Sequence, residues 1–189
     1  MFDMAVLAQV NPHADEADLH RRIEELERAK AAAAAGQARC AALLDAKRRA
    51  DEAAAGVPRA KRGRGVASEV ALARHDSPNR GSRHLGFAKA LVYEMPHTLA
   101  ALESGVLSEW RATLIVRESA CLSVDDRRTL DAEMCGDVTT LAGMGDKRIR
   151  RRPRRSPTAS IRRPSSTGRR KPRRTETSGS GRHRTAWRG

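Results

Sequence analysis

Along the first third of the chain apolar residues recur at alternating spacings of four and three. They are Leu19, Ile23, Leu26, Ala33, Cys40 and Leu44, with Lys30 and Gln37 at the two intervening positions. The opposite side is charged, through Arg21, Arg22, Glu24, Glu25 and Arg28. A 3.6-residue period explains both faces at once, so the stretch predicts an amphipathic helix. Asp15 and Asp18 stand where it should begin, with Glu16 near the positive end of the helix dipole. No proline interrupts Leu19 to Val57, the alanine run Ala31 to Ala35 favours helix, and Gly56-Val57-Pro58 stops it. The stripe has two readings: a long helix packing on its own domain, or a helical hairpin or coiled-coil seam diluted by alanine.

Beyond the stop the apolar runs shorten. Val66 to Ala73 predicts a short helix and Asp76-Ser77-Pro78-Asn79 a turn. Arg80 to Glu94 follows as a helix with Leu85, Ala88, Leu91 and Val92 on its buried face. Pro96 suits the first turn of another short helix, ended by Gly105. Leu107 to Leu122 predicts a further helix with Leu107, Trp110, Leu114 and Ile115 inward. Ser123-Val124-Asp125-Asp126 resembles a capping box with Asp in place of Glu, opening a last helix that runs to about Cys135. No strand-like alternation of any length occurs. The expected fold is all-α: a long N-terminal helix followed by a compact bundle of short helices, with a disordered basic C-terminal tail.

Composition sharpens the division. Residues 1–146 hold 20 Lys/Arg and 22 Asp/Glu, a net of −2, whereas residues 147–189 hold 17 Lys/Arg and one acid, Glu176, a net of +16. Alanine falls from 30 of the first 146 residues to two of the last 43, and Arg, Pro, Ser and Thr make up 30 of those 43. Such a segment cannot bury enough apolar surface to fold. The expected organisation is a flexible N-terminus over 1–13, a helical domain over 14–146 that folds without the tail, and a disordered Arg/Pro/Ser-rich tail over 147–189. Only five residues are aromatic, so the core must rest on Leu, Val, Ile and Ala. Cys40, Cys121 and Cys135 lack metal-type spacing and read as reduced, buried small side chains of a cytoplasmic protein. Met1 to Val10 has neither a basic start nor a cleavage site, so neither a signal peptide nor a membrane span is read there.

Candidate chemistry is sparse. Glu69 to Leu91 has the rhythm of a helix-turn-helix whose second helix opens with Arg80, Ser82, Arg83 and His84, residue types that contact phosphates and base edges. Its turn carries Ser77-Pro78 where a single glycine is commoner, and many helical domains share the rhythm without touching DNA. Arg59, Lys61, Arg62 and Arg64 make the preceding linker basic. Arg150, Arg151, Arg152, Arg154 and Arg155 open the tail, whose charge would hold DNA non-specifically through counterion release. His75, Asn79 and His84 invite an HNH-nuclease reading, but they lie in a helical context without the strand–strand–helix unit that such a site needs. Gly63-Arg64-Gly65 follows no strand, so it is no phosphate loop. No cofactor, metal site or enzymatic activity is expected.

Residues 19–146 resemble the N-terminal helical domain of the actinobacterial thirteen-E-twelve repeat family, also known as domain of unknown function two-two-two. The resemblance lies in Gly63-Arg64-Gly65-Val66-Ala67, Glu69-Val70-Ala71-Leu72-Ala73-Arg74 and Ser77-Pro78-Asn79-Arg80-Gly81-Ser82-Arg83-His84-Leu85-Gly86. It continues through Met95-Pro96-His97-Thr98-Leu99-Ala100-Ala101-Leu102 and Leu107-Ser108-Glu109-Trp110-Arg111-Ala112-Thr113. In that family the domain usually precedes an HNH endonuclease module, and alanine-rich helix continues where this chain turns basic after Gly145-Asp146. Alanine codons GCC and GCG, read one base later, become CCG and CGG, for proline and arginine. Ser156 to Thr167 permits a coding whose shifted reading is Ala-Tyr-Arg-Leu-Asp-Pro-Ala-Ala-Val-Val-Asp, a helix, a cap, a first-turn proline and a new helix. The resemblance therefore implies a non-catalytic helical domain, truncated and frameshifted after about residue 146, a remnant without its nuclease module. It would leave the last helix uncovered near Leu130 and Met134. The alternative is a small nucleic-acid-binding protein using the helix-turn-helix-like segment and the basic tail. Expected partners are DNA, mainly through the tail, and a second copy through the long helix.

Overall fold

The computed structural model describes residues 4–137, 141, 145 and 146. Every regular element among them is helical, as expected. They are α1 (Met4–Ala8), α2 (Glu16–Ala54), a 3-10 turn (Arg59–Lys61), α3 (Val66–Ala73), α4 (Pro78–Tyr93), α5 (Pro96–Glu103), α6 (Glu109–Glu118) and α7 (Val124–Cys135). Among the described residues no helix is long and apolar enough to cross a membrane. The expectation of a disordered tail over 147–189 lies outside the described residues.

The 39 residues of α2 make a rod about 58 Å long. Asp15 caps it, accepting from Asp18 N–H at 2.7 Å. A short helix, α1, stands within the segment expected to be flexible, and its Val6 and Leu7 carbonyls accept from Arg22 Nη2 at 3.2 and 3.1 Å.

The face that α2 buries is not the leucine stripe. Its buried residues are Ala31, Ala34, Ala35, Ala38, Ala41, Ala42 and Asp45, about 100° around the helix from Leu19, Ile23, Cys40 and Leu44. Leu19 is 38% exposed, Ile23 64% and Leu44 37%. Two physical reasons favour the alanine face. The leucine stripe contains Lys30 and Gln37, whose burial among apolar side chains is costly. The alanine face lets α4 and α5 approach closely, so that Leu91, Met95, Leu99 and Leu102 fill the space with larger side chains.

Other boundaries shift for local reasons. Pro78 is not the turn but the first helical residue of α4, with Ser77 before it. The helix expected from Leu107 to Leu122 is shorter: Ser108 accepts from Arg111 N–H at 3.4 Å, α6 starts at Glu109 and ends at Glu118. Leu114 and Ile115 are buried as expected, together with Ala112, whereas Trp110, expected inside, is 54% exposed. At Ser123 the hydroxyl oxygen accepts from Asp126 N–H at 3.2 Å, and the hydroxyl donates to Asp126 Oδ2 at 2.8 Å. Leu130 and Met134 were expected to be uncovered and are buried instead, because α7 packs on α5 and Leu141 joins the same core. Of the cysteines only Cys135 is buried. Cys40 and Cys121 are exposed, Cys40 because it belongs to the stripe that faces outward.

Candidate nucleic-acid interface

The linker after α2 is held in place by its own polar groups. Arg62 Nε donates to the Val57 carbonyl at 2.7 Å, and Gly63 N–H donates to Glu52 Oε2 at 2.6 Å. Arg59, Lys61 and Arg64 stand exposed, while Arg62 is half-buried in that structural bond. Behind the linker Asp45, 3% exposed, accepts from Arg49 Nε at 2.8 and 2.9 Å and from Lys89 Nζ at 2.9 Å. Burial alone would raise the Asp45 carboxyl, but the hydrogen bonds from Arg49 and Lys89 outweigh it and hold the group below the usual carboxylate range. The triad ties α2 to α4.

The α3–α4 pair meets through Gly81. A Cβ there would sit 2.0 Å from the Ala67 carbonyl oxygen, so no other residue allows the two backbones to come this close. The turn between them ends α3 with a Schellman motif. His75 takes the left-handed position at φ 53°, His75 N–H donates to the Leu72 carbonyl at 3.0 Å, and Asp76 N–H donates to the Ala71 carbonyl at 2.9 Å. The glycine that the sequence lacks at the turn is thus replaced by a histidine, a residue type enriched in that region of backbone space.

Asp76 organises the start of α4. It accepts from Ser77 N–H at 2.8 Å and from Arg80 Nη1 at 3.4 Å, and its Oδ2 lies 2.9 Å from His84 Nε2. The His84 contact, then the Ser77 amide, hold the Asp76 carboxyl below its ordinary range. Of the four residues expected to read DNA, Arg80, Ser82 and Arg83 are exposed, while His84 is half-buried and engaged with Asp76. Gly81, in the first turn of α4, seats against Ala67 at the start of α3, the helix that follows the basic linker. His75 and Asn79 are exposed on the turn and the first turn of α4, apart from the His84–Asp76 contact. Arg150, Arg151, Arg152, Arg154 and Arg155 lie outside the described residues.

The sequence reading missed a second polar centre. Asp131 of α7 is fully buried and accepts from His97 N–H and Thr98 N–H, both at 2.8 Å, and from the Thr98 hydroxyl at 2.5 Å. Those two amides belong to the first turn of α5, which has no side-chain cap of its own, so a neighbouring helix caps it. Thr98 Oγ1 also lies 3.3 Å from Cys135 Sγ, and burial pushes the Cys135 thiol up to about 11. A signal was present in the sequence: Asp131 sits among Leu130, Met134 and Cys135 on the apolar face of α7, and Asp45 likewise extends the alanine face of α2. Among the described residues no three His, Cys, Asp or Glu side chains form a group that could hold a metal ion.

The described residues thus define an all-α domain with an exposed basic linker before α3 and a polar start to α4. No family model matches the chain, and no significant match is found among curated proteins or solved structures.

Proposed function

We propose that residues 14–146 are a non-catalytic helical domain of the thirteen-E-twelve repeat kind, whose work is to hold a module or a nucleic acid rather than to turn over a substrate. One observation carries this reading: the buried and paired carboxylates of the domain are engaged in joining its helices. Asp45 ties α2 to α4, Asp131 caps α5 from α7, and Asp76 closes the α3–α4 turn. A catalytic carboxylate or imidazole has to face a substrate, and these face their own backbone and cations. The test is incubation of the full chain with plasmid DNA and magnesium, manganese or zinc. The expected result is no cleavage above that of a His84→Ala variant. Metal-dependent cleavage abolished by that substitution would overturn the reading.

A second reading, nucleic-acid binding, is favoured by the exposure of Arg59, Lys61, Arg64, Arg80 and Arg83, and by the +16 charge of residues 147–189. Most of the affinity would then be electrostatic. With about eight phosphates neutralised it falls by roughly three to five decades between low and moderate salt. Fluorescence anisotropy on unrelated duplexes should give near-equal affinities for the full chain. Selective binding of one duplex that survives removal of residues 147–189 would assign recognition to α4 instead.

A further inference from the structure

We infer that α2 is the seam of an antiparallel dimer, in which the outward stripe of one copy lies along the α2–α3 groove of a second copy of this chain. The observation behind it is the division of α2. Its buried residues begin only at Ala31, so the first half, Glu16 to Lys30, presents Leu19 and Ile23 outward instead of burying them in its own bundle. The second half has a complementary feature. Beside it runs a mainly apolar groove of about 180 Å³, lined by Cys40, Ala41, Leu44, Val70 and Ala73 together with the polar Gln37, Glu69 and Arg74, with Leu43 (57% exposed) and Leu72 (77% exposed) nearby in the chain. One half carries apolar side chains and the other an apolar groove, and a twofold axis brings each to the other twice.

The spacing of the stripe selects the direction. In a parallel pair Glu16 would face Glu16, Lys30 would face Lys30 and Lys47 would face Lys47, three like-charge layers on one seam. In an antiparallel pair centred between Ala31 and Ala32, Leu19 meets Leu44, Ile23 meets Cys40, Leu26 meets Gln37 and Lys30 meets Ala33. Each stripe residue then pairs in the a-to-d sense throughout. The same register sets Glu16 opposite Lys47 at both ends, and both are exposed. The two polar stripe positions already have partners within one copy: Lys30 Nζ donates to Glu27 at 2.7 Å, and Gln37 accepts from Arg74. Their remaining donors reach water at the edge of a narrow seam, which a bundle core would deny them, so this face suits a contact between copies better than the core.

From Glu16 to Lys47 the seam is about 48 Å long and about 10 Å wide, on the order of 500 Å² on each copy. About 1,000 Å² in all is the lower bound for a specific interface, so a reversible dimer is expected.

The test uses sedimentation of the full chain in about 0.5 M salt, where nucleic acid carried by the basic residues is released. A monomer–dimer equilibrium is expected between roughly 1 and 100 µM. Ile23→Asp, at a position already 64% exposed, should weaken it about a hundredfold while circular dichroism stays unchanged. Lys47→Glu should weaken it as well, and Glu16→Lys combined with Lys47→Glu should restore it. Oxidation of an Ile23→Cys, Cys121→Ser chain should give an intermolecular disulfide from residue 23 to Cys40, identified by mass spectrometry. A monomer at every concentration, a dimer indifferent to Ile23→Asp, or a disulfide joining residue 23 of one copy to residue 23 of the other would each overturn the proposal.

Discussion

The two long faces of α2 are built from the same helix and meet opposite fates. One is almost pure alanine, lies against α4 and α5, and is itself buried from Ala31 to Asp45. The other carries the larger side chains Leu19, Ile23 and Leu44 and stays outside. Hydrophobicity alone ranks them the wrong way round. What decides is the fit: a smooth alanine face admits large leucines from neighbouring helices, whereas a leucine stripe broken by Lys30 and Gln37 would bury those two polar groups along with its leucines.

Truncation separates the faces most strongly. Leu102→Ala, at a fully buried position beneath α2, should cost about 3–4 kcal/mol in chemical denaturation. Ile23→Ser, measured where the chain is monomeric, should change stability by less than about 0.5 kcal/mol. Equal losses at the two positions would erase the distinction between the faces.

Close approach of backbones is the next largest effect. Gly81→Ala forces a methyl into the Ala67 carbonyl and should cost about 2–3 kcal/mol. Gly36→Ala, on the outward side of α2 with open space around it, should instead stabilise by about 0.5–1 kcal/mol through helix propensity.

The α5–α7 contact predicts a pH dependence. Burial, ahead of any other influence, raises the Cys135 thiol to about 11 from its ordinary 9.0, so the folded chain keeps the proton while the unfolded chain releases it. The stability this contributes is complete below pH 9 and is lost between pH 9 and 11, by about 1.4 kcal/mol for each pH unit. Denaturation midpoints of the parent chain and Cys135→Ala should diverge in slope across that window. Parallel curves would show that the thiol is not confined there.

The smallest effect concerns the α3–α4 turn. His75 holds a left-handed conformation that glycine adopts freely, so His75→Gly should stabilise by about 0.5–1 kcal/mol. A loss would mean that the imidazole supports the turn.

Most of the helices were legible in the sequence because their ends carry local chemistry: Asp15, Ser123, Pro96 and Gly56 act on their own turn. Phase around the helix was less legible. Trp110 was expected inside, and the Leu19–Leu44 stripe either against its own domain or in a hairpin or coiled-coil seam, because large apolar side chains mark a contact, yet the inward direction depends on which face neighbouring helices can approach. For the candidate interface, Arg59, Lys61, Arg64, Arg80 and Arg83 are exposed as their charge suggests, whereas His84 is drawn to Asp76 by a turn geometry that spacing does not disclose. Asp131 escaped notice for a related reason. Its partners are backbone amides of α5, 33 and 34 residues away, and no local pattern announces a cap supplied from another helix.

Hydrogen exchange along α2 tests the division of the helix most directly. At about 1 µM, where the chain is monomeric, amides from Ala31 to Asp45 should exchange only through global unfolding, while those from Leu19 to Lys30 should exchange orders of magnitude faster through local opening. Uniform protection from Leu19 to Asp45 at that dilution, or stronger protection of the first half than of the second, would contradict the account.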